Sequence, residues 1–151
     1  MLGRRDRLWL LGALLVADAL LWGAVLLVLY VMLRSQGYAG NWVGYWLIAY
    51  SGFLVDAVLA CATLWGSVAA RGYREALRIA LAVAVVPYMY DLTLRMAAVA
   101  QGWRLILPYG YYDPSHLLLT HAFPWAETVV LVLAAVLLGT LAVSAFERRE
   151  V

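Results

Sequence analysis

Four stretches of this sequence stay apolar for long enough to cross a lipid bilayer, and that constrains the fold more than any other feature. They lie near Leu8–Leu33, Trp42–Val68, Leu77–Ala100 and Trp125–Phe146. About 20 helical residues cover a hydrocarbon core roughly 30 Å thick. Inside lipid every backbone N–H and C=O must be satisfied by the protein, which leaves helices or a closed barrel. The four runs lack the in–out alternation of barrel strands. The expectation is one all-α integral membrane domain spanning residues 1–151, a four-transmembrane-helix bundle with up-down-up-down connectivity.

Composition narrows the function classes. Hydrophobic residues make up 66% of the chain and charged residues 13%, against about 45–50% and about 25% in soluble domains. A net charge of +2 is too small to attract a polyanion, so nucleic acid is not an expected partner. The single cysteine, Cys61, excludes an intrachain disulfide and any Cys-x-x-Cys chemistry. All basic residues are arginine. Without lysine there is no Schiff base, and a retinal protein is excluded. The all-arginine usage also points to a GC-rich prokaryotic genome, hence to a prokaryotic cell membrane.

Arginine placement predicts orientation. Arg4, Arg5 and Arg7 precede the first span, Arg71, Arg74 and Arg78 surround the second connection, and Arg148 and Arg149 follow the fourth span. Only Arg34 and Arg104 fall on the other side, so both termini are expected in the cytoplasm. Ala17-Asp18-Ala19 resembles a signal-peptidase site, but the apolar run continues to Leu33, too long for a signal h-region. The first span is read as retained.

The connections differ in kind. Arg34–Asn41 holds Gly37 and Gly40 and predicts a tight hairpin, and Ala69–Glu75 is equally short. Gln101–Pro124 is long and carries Trp103, Tyr109, Tyr111, Tyr112 and Phe123. A loop of that length in so small a protein is usually functional or interface-forming. Asp113-Pro114 reads as an N-cap followed by proline at the first helical position. The fourth helix is therefore expected to start at Pro114 and kink at Pro124.

The feature that bears on chemistry is a set of mid-span acids. Asp18, Asp56 and Asp91 lie roughly 15, 18 and 21 Å from the cytoplasmic end, counting about 1.5 Å per residue. A carboxylate at such depth costs roughly 2.5–3.5 kcal/mol on insertion scales, so all three should face the bundle interior. Arg95 follows Asp91 by one turn, the favourable order for a helix ion pair. The charges do not balance: three acids face one arginine, and Glu127 competes with Asp91 for it. An unpaired acid would stay protonated and donate a hydrogen bond. Pro87 offers an acceptor by freeing the carbonyl of Val83, and Tyr50, Tyr88 and Tyr90 add hydroxyls. Asp18, Asp56, Asp91, Arg95, Tyr50, Tyr88 and Glu127 are the candidate binding residues. The same groups serve equally well as interhelical fasteners.

Other signals are weaker. His116 and His121 are five residues apart, about 140° around a helix, and no other span holds a histidine. They name no metal site, and haem ligation would need another subunit. No cofactor is identified. Most tryptophans sit near span ends, where aromatic belts form, and Trp22 is the mid-span exception. Tyr45, Trp46, Tyr50 and Phe53 form a helical stripe, read as packing or as a wall for a quinone, sterol or isoprenoid lipid. No motif identifies a family.

Three functions follow as expectations. The first is a non-catalytic accessory subunit of a larger membrane complex, in a respiratory or electron-transfer setting, docked on other integral membrane subunits or on itself. The second is a membrane-embedded acid–base enzyme, an isomerase or cyclase using Asp18, Asp56 and Asp91, or a binder of an apolar isoprenoid- or sterol-like lipid. The third is a small proton-coupled transporter working as a dimer, with Pro87 beside Asp91 marking a broken helix.

Overall fold

The computed structural model describes residues 4–37, 42–97 and 101–149. All described regular structure is helical. Helix α1 runs Arg4–Ser35, α2 Trp42–Ala69, α3 Tyr73–Met96, α4 Gln101–Arg104, α5 Pro114–Thr120 and α6 Trp125–Arg149, with a 3-10 turn at Pro108–Tyr111. Helices α1, α2, α3 and α6 are long and apolar enough to cross a membrane, as the sequence predicts. Three details differ from expectation. Helix α3 begins at Tyr73 and ends at Met96, and the outer end expected for it, residues 98–100, lies outside the described residues. The long connection is itself folded. The helix expected to start at Pro114 and merely kink at Pro124 is broken: α5 stops at Thr120 and His121 takes a left-handed conformation (φ 52°). Proline at 124 supplies no N–H to continue the ladder, so α6 starts afresh at Trp125.

Spans α1, α3 and α6 each turn one stripe inward, as a 3.6-residue repeat requires. On α1 the half-buried positions are Gly12, Leu15, Asp18, Trp22, Leu26, Tyr30 and Leu33, and most intervening residues are exposed. On α6 the half-buried Glu127, Thr128, Ala134 and Leu138 flank the fully buried Leu131 and Ala142. Helix α2 differs, since 56% of its apolar window is buried against 0%, 6% and 11% for α1, α3 and α6. Its composition explains this: Ala49, Ser51, Gly52, Ala57 and Cys61 are small and buried, so neighbouring side chains approach it closely.

The chain forms two compact units, divided within α2 between Phe53 and Leu54. The first unit contains α1, the start of α2, and Pro114–Phe123. Here Trp22 lies against Gly52 so closely that a Cβ on that glycine would overlap the indole. The mid-span tryptophan is thus a packing residue. The ring of Tyr30 packs against Trp42 at a 55° tilt with centroids 4.0 Å apart, and Tyr50 meets Phe123 at 5.4 Å. Leu118 and His121 close over Gly44.

The second unit contains the rest of α2, then α3, residues 101–113, and α6. Gly66 faces Ile79, and Gly139 faces the sulfur of Cys61. After α3 the chain doubles back along it. Tyr109 meets Tyr88 edge-on at 5.7 Å, and the Tyr90 hydroxyl donates to the Trp103 carbonyl at 3.1 Å. Gly110 permits this reversal, because a Cβ there would overlap the backbone carbonyl of Arg104.

Candidate functional site

Two features of the second unit, both touched by the reversed segment, make up the candidate site. The first is an ion cluster. Asp91 sits on the buried stripe of α3 with Ala80, Val83 and Pro87, and is 6% exposed. Arg95, one turn on, places Nε 2.6 Å from Asp91 Oδ2. Arg104, arriving from α4, places its own Nε 3.1 Å from Oδ1. A second nitrogen of Arg95 donates to the Tyr112 carbonyl at 2.8 Å. One carboxylate thus holds two guanidinium groups, and one of these ties down the returning chain. Both bonds to Asp91 are charge-assisted, the stronger class of hydrogen bond.

Asp56, on α2, acts electrostatically on the returning segment. Burial pushes the Tyr109 and Tyr112 phenols above the ordinary tyrosine value, and the negative charge of Asp56 adds to the effect on both. Arg95 acts on Tyr112 in the opposite sense. Arg104 thus gives Asp91 a second cation beside Arg95.

The second feature is an open cleft of about 440 Å3. Its walls come from α2 (Val58, Leu59), α3 (Val83, Pro87), the 3-10 turn (Pro108) and α6 (Leu138). Every lining residue is apolar. The volume is in the range of small-molecule sites, and Pro87, inside the continuous helix α3, forms part of its wall. None of Asp18, Asp56 or Asp91 lines it.

Of the residues singled out from sequence, Asp56, Asp91, Arg95, Tyr88 and Glu127 belong to the second unit, and Asp18 and Tyr50 to the first. Asp91 and Arg95 pair as their spacing predicts. Arg95 spends its described bonds on Asp91 and Tyr112. Asp18 shares the half-buried stripe of α1 with Trp22, one turn away. Tyr50 packs on Phe123, while Trp46 of the same aromatic stripe is 64% exposed. The cleft therefore lies at α2 residues beyond that stripe. Among the described residues no group of His, Cys, Asp and Glu is arranged to hold a metal ion.

Sequence reasoning missed Arg104, Tyr109 and Tyr112. A usable signal existed for Arg104: an excess of mid-span acids calls for another cation, and Arg104 follows the same helix as Asp91. Compared with protein-family models, curated proteins and solved structures, the chain matches none.

Proposed function

We propose that this chain is a non-catalytic, multi-pass accessory subunit of a larger membrane protein complex. The observation that carries the reading is the state of Asp91. Its two oxygens are occupied by Arg95 and Arg104, so the most buried acid described serves to fasten a segment and is not poised to move a proton. Helix α1 supplies the outward surface. Beyond its one half-buried stripe it exposes Val16, Leu20, Leu21, Val25, Leu27 and Val28, suited to another membrane-spanning helix. The arginine distribution supports both termini in the cytoplasm of a prokaryotic cell. The test is extraction from native membranes in mild detergent, followed by intact-complex mass spectrometry. Stoichiometric partner subunits, with crosslinks from exposed α1 positions, are expected. A lone monomer or dimer overturns the reading.

The cleft favours a second reading, a binder of an apolar lipid. An open cleft of about 440 Å3 walled by aliphatic side chains and prolines offers dispersion contacts and no hydrogen bonds, which suits a hydrocarbon chain. Ala82 also lines the cleft; purified protein should then retain lipid through delipidating washes, and Ala82→Phe, which fills the space, should release it. Equal retention by the variant would remove this reading.

A further inference from the structure

We infer that the turn between α2 and α3, together with the start of α3, is a contact surface for anionic phospholipids of the surrounding leaflet. Arg71, Arg74 and Arg78 face the headgroups, and Tyr73, Leu77 and Leu81 lie along the acyl chains. This surface is separate from the cleft and from the cluster around Asp91, and it is compatible with either reading proposed above.

Charge is the first support. All three arginines are exposed. Among the described residues the ion pairs centre on Asp91 and take up neither Arg74 nor Arg78. Glu75 is the one acid between Asp56 and Asp91 in the sequence, and its carboxylate accepts from the backbone N–H of Arg71 at 2.7 Å. Three arginines against this one carboxylate leave residues 71–78 with a net charge of +2. Glu147, Arg148, Arg149 and Glu150, at the end of the last span, add no net charge to offset it. Arginine also matches phosphate geometry, with its planar fork of donors.

Register is the second support. Arg74 and Arg78 are four residues apart, on the side of α3 turned away from the half-buried Ala76, Ile79, Ala80 and Val83. Tyr73, Leu77 and Leu81 repeat at the same interval beside them and are 80%, 55% and 65% exposed. A cationic stripe thus runs next to an apolar one. Arg78 is the second residue of the apolar run that begins at Leu77, so the arginines lie at its edge. Helical side chains lean toward the N-terminus. Arg78 therefore sends its guanidinium back toward Arg74, whose Cα is about 6 Å away along the axis. Tyr73 stands at the same edge, the level that tyrosine favours at a membrane interface. Orientation alone asks for arginines near a span end and sets no common face; a headgroup with its chain attached requires one.

The experiment titrates delipidated full-length protein with dioleoyl phosphatidylglycerol or dioleoyl phosphatidylcholine and reads lipid adducts by native mass spectrometry. The two lipids share their chains and a phosphate but differ in net charge. The anionic lipid should bind roughly fivefold or more tightly, the worth of one arginine at an anionic surface. The double variant Arg74→Gln, Arg78→Gln should lose most of that preference with phosphatidylcholine binding unchanged, and the double variant Arg4→Gln, Arg5→Gln should keep most of it. Inorganic phosphate should displace no more lipid than sodium chloride of equal ionic strength. Equal affinity of the unmodified protein for the two lipids overturns the inference, whatever the variants do. Full preference in the 74/78 variant, or an equal loss in the 4/5 variant, overturns the assignment to this face, because the preference then follows another surface or the total charge. Specific displacement by phosphate makes a free anion the ligand and overturns it too.

Discussion

Arg104 reaches back across thirteen residues of chain to set its Nε 3.1 Å from Oδ1 of Asp91, on the carboxylate whose other oxygen Arg95 already holds. This sharing makes Asp91 the keystone of the cluster. Asp91→Leu leaves two guanidinium groups without their acid and should destabilise the protein by about 3 kcal/mol or more. Arg95→Met should cost less, since the Arg95 side chain is 36% exposed and Asp91 keeps Arg104. Reversible unfolding in detergent gives the order, and equal losses would refute the shared-acid description.

The contact between Trp22 and Gly52 leaves no room for a side chain. Gly52→Ala should therefore push the indole off α2 and cost about 1–3 kcal/mol, as overpacking does. Trp22→Leu should recover part of that loss in the double variant. A simple sum of the two single effects would mean that the residues do not touch.

Gly110→Ala tests the chain reversal. The added methyl overlaps the Arg104 carbonyl, so the 3-10 turn must shift and draw Arg104 away from Asp91. Limited proteolysis should then cut within residues 101–113 at least several times faster than in the unmodified protein. An unchanged cleavage rate would count against the close approach.

Burial and the charge of Asp56 raise the phenols of Tyr109 and Tyr112. The folded state therefore holds these protons more tightly than the unfolded chain, whose tyrosines titrate near 10. The associated stability is fully present below about pH 10 and is lost as the pH rises through the folded values. Ultraviolet titration should show two late-ionising tyrosines, and Asp56→Asn should bring both part of the way down, since burial remains. No movement in the variant would show that Asp56 does not act on these phenols.

Thr128 lies on the buried stripe of α6, and its hydroxyl is buried with no hydrogen-bond partner. Thr128→Val keeps the shape and removes the unmet group, so it should be neutral or stabilising by up to about 1 kcal/mol. A marked loss of stability would reveal a bond to that hydroxyl.

The four spans, the Asp91–Arg95 pair and the start of α5 after Asp113 were legible in the sequence. Each depends on neighbours a few residues apart: runs of apolar side chains, one helical turn, a proline at the first helical position. The inward side of α1 was legible too, because an acid at Asp18 is costly in lipid and fixes which stripe turns inward. Tertiary structure alone decided that Arg104 is the second cation on Asp91, where the cleft opens, and that Trp22 is a packing residue. The physical reason is that a chain reversal at Gly110 and a fit of Trp22 on Gly52 join residues that share no local period. Apolar burial is nearly indifferent to which face meets which, whereas one guanidinium within bonding distance of one carboxylate requires the whole returning segment to be in place.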